Sequence, residues 1–264
     1  VMKIIYFGTD VFYECFKYLV NSEHEIVALY TYHNENEYIR EDKVAALAKN
    51  NNIPIRYNKM TLDEAQTLFS SNDCDLFFSA EYDSKIPIPD TKNFRGINIH
   101  NSLLPEGKGY FPIEMRIYKG YDYGGVTIHQ LTDNFDEGAI VMQKKFQIAH
   151  SENDRDVYNK CHCAALELTK VMMSSFDSYW NNAQPQQGLG SYWSKPTLTE
   201  LTIDRNFTVA AAKHTYRAFG RLCFVKKNNL VQKVALITDL EDNTHNDCFI
   251  MPLKDGAVKV LAQK

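Results

Sequence analysis

Apolar and polar positions along the chain follow two alternating periods. Short apolar runs recur at 3–7, 25–30, 53–57 and 74–79, and such runs read as strands. Between them the apolar spacing widens to that of a helix, over 11–20 (Val11, Cys15, Tyr18 and Leu19), 43–50 and 62–70. The polar stretch 32–42, rich in Asn and Glu, reads as a solvated loop. Strand and helix alternate from residue 2 to residue 100, which predicts a parallel, doubly wound sheet with right-handed crossovers. Further strands are predicted at 96–100, 125–129 and 139–142. A helix follows from a cap at Ser151 to about residue 179, with Val157, Cys161, Leu168, Val171 and Met172 near one packing face.

Past this helix the pattern changes. Residues 181–194 are rich in Asn, Gln, Gly and Pro, the composition of a connection. A helix at 208–218 and two hairpins follow, 222–226 with 230–237 around Asn228-Asn229, and 248–251 with 257–261 around Lys254-Asp255-Gly256. The fold class expected is α/β: a doubly wound, mainly parallel sheet with a small C-terminal β-rich subdomain. The expected division is a main domain over 1–180, a linker over 181–200 and the subdomain over 201–264.

Composition narrows the picture. A chain of 264 residues that is 44% hydrophobic and 23% charged can build one large core and one small one. A net charge of −4 argues against a protein made mainly to hold polyanionic nucleic acid. Six scattered cysteines lie mostly among apolar residues and show no disulfide framework, so buried free thiols are expected. Cys161-His162-Cys163 is not a metal site on this reading, because helical neighbours two apart point to different sides and no second ligand pair follows. No apolar run nears membrane-spanning length, and the chain opens on a strand and not on a basic, apolar leader. These features predict a cytoplasmic protein that needs no metal, no membrane and no nucleic-acid partner. The apolar residues of the C-terminal hairpins could serve a homodimer interface or simply the fold.

Candidate chemistry concentrates in two stretches. In Asn98-Ile99-His100, the amide and the imidazole are two apart and project from the same face of a strand. Ser102-Leu103-Leu104-Pro105 then ends the sheet ladder, and Gly107 and Gly109 let the backbone turn and let a ligand come close. The second stretch is the strand Gly125-Val126-Thr127-Ile128-His129, which runs into Asp133-Asn134-Phe135-Asp136-Glu137-Gly138. Near the start, Phe7-Gly8-Thr9-Asp10-Val11 lacks the G-x-G-x-x-G series, which argues against a nicotinamide cofactor.

Asn98-x-His100, Ser102-Leu103-Leu104-Pro105 with Gly109 four residues on, Gly125 to His129 and Asp136-x-Gly138 occur in one order at these spacings. Together they resemble the formyltransferases that use 10-formyltetrahydrofolate, over residues 2 to about 176. The resemblance implies a Rossmann-like formyltransferase core, N-formyltransferase activity and catalysis by Asn98, His100 and Asp136. Negative charge builds on the formyl oxygen during acyl transfer to an amine, and the Asn98 amide can donate to it. His100 can take the amine's proton, and Asp136 can orient the imidazole and stabilise its cation.

The resemblance further implies a folate pocket lined by Tyr82, Lys85 and Ile86 of the loop after the fourth strand, with Ile99, Leu104 and Asp133. It implies an acceptor approach at Gly107, Lys108, Gly109 and Tyr110. Lys108 stands where the family often has arginine, which keeps the charge but loses the bidentate fork; Asn101 replaces a common proline or glycine. The reduced C-terminal region makes a nucleotide-linked amino sugar, such as a dTDP-linked 3- or 4-amino-dideoxysugar, the expected acceptor. Methionyl-tRNA formyltransferase and a folate-binding pseudoenzyme are the alternatives.

Overall fold

The computed structural model describes residues 1–32, 42–228, 230–242, 244 and 247–263. The solvated loop expected over 32–42 lies almost wholly outside the described residues, and so does Asn229 at the tip of the first expected hairpin. The chain forms two compact units. One comprises Val1–Lys108, Gly125–Phe146 and Lys160–Tyr192, the other Gly109–Gly124, Gln147–Asn159 and Trp193–Lys264. The units interleave in sequence, whereas the linear reading divides the chain once, at 181–200.

In chain order the elements begin with β1 (Lys3–Gly8), α1 (Tyr13–Val20), β2 (Glu25–Tyr30), α2 (Lys43–Asn50), β3 (Ile55–Arg56), α3 (Leu62–Ser70), β4 (Leu76–Ala80) and β5 (Gly96–His100). They continue through β6 (Lys108–Gly109), α4 (Pro112–Tyr118), β7 (Tyr123–Gln130), β8 (Ile140–Gln147), α5 (Asp154–Ser174) and α6 (Phe176–Asn181). A seven-stranded sheet has the order β3-β2-β1-β4-β5-β7-β8. The pairs β1–β2, β1–β4, β2–β3 and β4–β5 are parallel, and β7 runs antiparallel to β5. β1 and β4 are buried almost throughout, the signature of central parallel strands covered on both faces.

Local chemistry sets the helix ends. Thr61 and Glu64 form a capping box on α3, and the Asp10 carboxylate accepts the Lys43 and Val44 N–H groups at the start of α2, 2.9 Å each. The long helix expected from Ser151 to 179 is corrected in two ways. Its cap is Asn153, whose Oδ1 accepts from the N–H groups of Arg155 and Asp156 while Asp156 Oδ2 accepts from the N–H of Asn153, so the helix begins later than a Ser151 cap would place it. It also breaks at Ser175 (φ −152°, ψ 49°) into α5 and α6. The cysteine expectation holds for Cys15, Cys74, Cys161 and Cys223; Cys163 is exposed, since two residues along α5 turn it away from the face that buries Cys161, and Cys248 is half-buried.

The second unit continues through β9 (Tyr192–Trp193), α7 (Leu198–Leu201), β10 (Thr202–Ile203), α8 (Val209–Phe219), β11 (Phe224–Lys227), β12 (Leu230–Thr238), β13 (Phe249–Leu253) and β14 (Gly256–Ala262). Its sheet has the order β10-β11-β12-β14-β13, and β11–β12 and β13–β14 are the two expected antiparallel pairs. Thr208 caps α8 through the N–H of Ala211. Arg116 of α4 is 1% exposed, with its guanidinium 4.8, 5.0 and 5.3 Å from the ring centres of Tyr121, Tyr123 and Trp193. This cation–aromatic box, like α4 itself, carried no periodicity to announce it. Among the described residues no helix is long and apolar enough to cross a membrane.

Candidate active site

The chain order along the first sheet reverses at β1. The chain moves from β1 to β2 and β3 on one side, then returns to place β4 on the other. Ligands bind outside the carboxyl ends of strands at such a switch point. Gly8 and Ala80, the last residues of β1 and β4, are register partners there. A Cβ on Gly8 would lie 2.5 Å from the Ala80 carbonyl oxygen, so the close approach of these strand ends requires glycine.

β5 brings Asn98 and His100 to the same edge. The antiparallel register pairs Asn98 with His129 of β7, and His100 with Thr127. The Asn98 amide nitrogen lies 3.2 Å from His129 Nε2, and His129 Nδ1 lies 2.9 Å from the Gln130 carbonyl oxygen. A carbonyl can only accept, so the His129 proton sits on Nδ1, and Nε2 accepts from Asn98. By the same argument His100, whose Nε2 is 2.8 Å from the Gly107 carbonyl oxygen, donates from Nε2 and turns Nδ1 inward.

Asp136 completes the group. Its Oδ1 lies 3.5 Å from His100 Nδ1 and 3.6 Å from His129 Nε2, and all three side chains are nearly closed to solvent. The His129 Nε2 lone pair is taken by the Asn98 N–H, and His100 Nδ1 faces the Asp136 carboxylate. Such an arrangement can take up a proton at His100 Nδ1, where the Asp136 charge would hold it. The turn that presents Asp136 is tightly fitted. Asp136 is left-handed at φ 57°, and a Cβ on Gly138 would lie 1.7 Å from the Gln130 carbonyl oxygen. The Ser102–Leu104 turn is braced from β7, where Thr127 Oγ1 donates to the Ser102 carbonyl and accepts from the N–H of Leu104. The Leu104-Pro105 bond is cis.

Two further residues join this edge. Glu81, just past β4, is left-handed at φ 59° and accepts from the Asn101 amide at 3.5 Å. Desolvation, then the Asp136 and Asp83 carboxylates, push the Glu81 carboxyl up to about 7. The residue keeps an exposed surface, so water offsets part of that rise. Asn101 is buried, and its Oδ1 has no hydrogen-bond partner among the described residues.

The remaining sequence candidates are placed as follows. Tyr82 stacks on Tyr32 (ring centres 4.8 Å apart, 10° between planes) and meets Phe7 edge-on. Ile86 joins the core cluster of Phe7, Tyr30 and Phe77, and Ile99 and Leu104 are each 2% exposed. Lys85 and Asp133, both exposed, face each other at 3.5 Å. Gly107 takes φ 73°. Lys108 pairs with Glu137 at 3.7 Å. Gly109 (φ 92°) and Tyr110 belong to the second unit, where the Lys195 ammonium lies 4.6 Å from the Tyr110 ring centre.

His129, Glu81 and Asn101 were given no site role by the sequence. For His129 a signal existed: it ends the alternating run from Gly125, and that run must pair with the strand carrying Asn98. For Glu81 there was none, because its role depends on a left-handed backbone. Among the described residues no three His, Cys, Asp or Glu side chains gather as metal ligands.

The chain matches the family described as Formyl transferase over residues 2–171. A curated relative, the methionyl-tRNA formyltransferase of Thermosipho melanesiensis, is 25% identical over 267 aligned residues, spanning 97% of this chain and 87% of its own. WlaRD, a sugar 3N-formyl transferase whose crystal structure was obtained in the presence of dTDP and 5-N-formyl-THF, has a TM-score of 0.68 at 24% identity, over 100% of this chain and 97% of that one. The N-formyltransferase of Helicobacter canadensis, in complex with folinic acid and dTDP-3-aminofucose, has a TM-score of 0.70 at 21% identity over 100% of both chains. These structural likenesses establish a common fold.

Proposed function

The chain belongs to the formyl transferase family, and on that premise we propose that it moves a formyl group from 10-formyltetrahydrofolate to the amino group of a nucleotide-linked amino-dideoxysugar, with dTDP-linked 3- or 4-amino sugars as the acceptor class. The observation that carries the reading is the convergence of Asn98, His100 and Asp136 at the carboxyl ends of the sheet. For the acceptor, support comes from sugar N-formyltransferases that match along the whole chain and from the net charge of −4, which disfavours a tRNA partner. The residues present fit a folate donor. The unpartnered Asn101 Oδ1 suits a heterocycle bearing N–H groups, and the stacked Tyr82 and Tyr32 offer an aromatic wall.

The donor supplies an activated formyl carbon; the protein supplies charge and proton management. One Asn98 N–H is held by His129, and the other remains to stabilise charge developing on the formyl oxygen. The new C–N bond leaves the amine with a surplus proton, which His100 Nδ1 accepts while Nε2–H stays on the Gly107 carbonyl. Asp136 holds the resulting imidazolium, which then returns the proton to the departing nitrogen of the donor as the old C–N bond breaks. No covalent bond to the protein is involved.

The test is turnover of 10-formyltetrahydrofolate with a panel of dTDP-, UDP- and GDP-amino sugars and with charged initiator tRNA, read by tetrahydrofolate release and product mass. Turnover is expected with at least one dTDP-linked 3- or 4-amino-dideoxysugar and not with methionyl-tRNA. A second reading, methionyl-tRNA formyltransferase, draws on the 25% identity to the Thermosipho enzyme. Formylation of the tRNA at a comparable kcat/KM would establish it and overturn ours. Silence across the whole panel would point to a folate-binding pseudoenzyme.

A further inference from the structure

The segment between Gln184 and Ser191 has the composition of a linker, yet it touches both loops that present the proposed catalytic pair. At one end Gln184 and Ile140 exchange backbone hydrogen bonds, 2.7 and 2.9 Å, which docks the segment on β8. Gln186 Nε2 then donates to the Asp136 carbonyl at 2.7 Å and to the Gly138 carbonyl at 3.0 Å. These are the backbone oxygens of the turn that holds Asp136 in a left-handed conformation.

At the other end Ser191 grips the loop after β5. Its Oγ accepts from the N–H of Gly107 at 2.9 Å, its carbonyl accepts from the N–H of Lys108 at 2.9 Å, and its own N–H donates to the Pro105 carbonyl at 3.0 Å. Gly190 lies so close that a Cβ there would sit 2.2 Å from the Pro105 carbonyl oxygen. The Gly107 carbonyl is the acceptor for His100 Nε2. The contacts therefore close a ring: His100 to Gly107, Gly107 to Ser191, five residues back along the chain to Gln186, Gln186 to Asp136, and Asp136 back to His100.

We infer that residues 184–191 form a catalytic strap in which Gln186 and Ser191 are positioning residues, setting the distance and angle between Asp136 and the His100 ring. Neither side chain reaches the reacting atoms. A direct tie between the same loops, the Lys108–Glu137 ion pair, is long at 3.7 Å, and only Lys108 is half-buried while Glu137 stands open to solvent. The strap supplies what that pair lacks: short neutral hydrogen bonds to backbone groups flanking each member of the pair. Ser191 also acts on the His100 tautomer. By fixing the Gly107 peptide it keeps the acceptor on Nε2, which is what leaves Nδ1 facing Asp136.

This inference rests on the catalytic reading of His100 and Asp136, and its test separates the two. The variants are Gln186→Leu, which keeps the size and removes both donated bonds, Ser191→Ala, and Ser191→Thr, which retains the hydroxyl. Misplacing a general base by a fraction of its hydrogen-bond length costs on the order of 10- to 100-fold in rate. Gln186→Leu and Ser191→Ala are each expected to lower kcat by about 10-fold or more, with the KM for the folate donor within about 2-fold and the melting temperature close to wild type. Ser191→Thr should restore most of kcat.

In substrate-free protein labelled at histidine, the Nε2–H resonance of His100 should be protected in wild type and in Ser191→Thr, and exchange-broadened in Ser191→Ala. This resonance is read without any acceptor, so it decides the strap even if the proposed reaction fails. Retention of kcat within about 2-fold by both Gln186→Leu and Ser191→Ala would overturn the inference. So would an unchanged Nε2–H signal in Ser191→Ala, or loss of activity that merely tracks loss of folded protein.

Discussion

Asn98 donates one amide hydrogen to His129 Nε2 across the antiparallel β5–β7 pair, 3.2 Å between nitrogens. The tie fixes the amide's orientation, because the Gln130 carbonyl holds the proton of His129 on Nδ1 and leaves Nε2 to accept. On the proposed reading Asn98 is the oxyanion donor, and a donor pre-aimed in this way needs no reorganisation during the reaction.

His129→Leu should therefore lower kcat by about 10-fold or more through a freed Asn98 side chain, while Asn98→Ala should cost about 10²–10³-fold. In the double variant the two losses should fail to add, because His129 acts through Asn98. Steady-state formyl transfer across the double-mutant cycle is the measurement; strict additivity would assign His129 some other role.

How much of this was legible beforehand differs by element. The alternation from residue 2 to 100 places β1, α1, β2, α2, α3, β4 and β5 within a residue or two of where they lie, because parallel strands buried on both faces leave continuous apolar runs. Asn98, His100 and Asp136 were named from motifs. That the same carboxylate oxygen faces both His100 and His129 was not legible, since it depends on the β5–β7 register and on the left-handed Asp136. α4 was missed because Ile113-Glu114-Met115-Arg116-Ile117 is buried throughout, polar residues included, and shows no polar face. The strap was read as a linker for the opposite reason. Its Gln, Gly and Ser side chains work through backbone groups of distant loops, and hydrophobic periodicity does not record such bonds.

Glu81 makes a prediction about pH. Its folded-state value of about 7 stands above the ordinary 4.5, so the native state binds the proton more tightly than the unfolded chain does. The associated stability is fully present below about pH 4.5 and is lost as pH rises toward 7. Glu81→Gln removes the ionisation. The variant should melt at the wild-type temperature near pH 4.5 and above it at pH 8, with the gap opening between. Melting curves by differential scanning fluorimetry across that range test it. A gap that is constant with pH would mean the Glu81 charge is not what the site strains against.

Gly138 makes a prediction about sterics. A Cβ there would fall 1.7 Å from the Gln130 carbonyl oxygen, a backbone atom fixed in β7 that cannot swing aside. Gly138→Ala should lower stability by about 1–3 kcal/mol in urea unfolding, the usual range for overpacking. Because Asp136 lies two residues away in the same turn, kcat should fall more than the loss of folded protein explains. A variant with wild-type stability and rate would show that the turn moves freely.

His100 and Asp136 make the last prediction. The amine attacks as its free base, and the C–N bond that forms leaves it with a proton it must lose before the donor nitrogen can depart. On the proposed reading His100 Nδ1 is the acceptor, because imidazole is the side chain whose ordinary range, near 6.5, lies closest to neutral pH, and Asp136 Oδ1 stands 3.5 Å from it to carry the opposing charge. Loss of general acid–base help costs about 10²–10⁴-fold, so His100→Asn should lower kcat by at least about 10²-fold with donor affinity unchanged within a few-fold. Asp136→Asn keeps the shape and removes the charge, and should fall in the same range. The two act on one proton, so the double variant should be little worse than either single one, as for residues that work as a unit. Single-turnover rates and calorimetric donor binding for the three variants decide the matter. If His100→Asn keeps most of its kcat, or loses activity only because the donor no longer binds, the proton lies elsewhere.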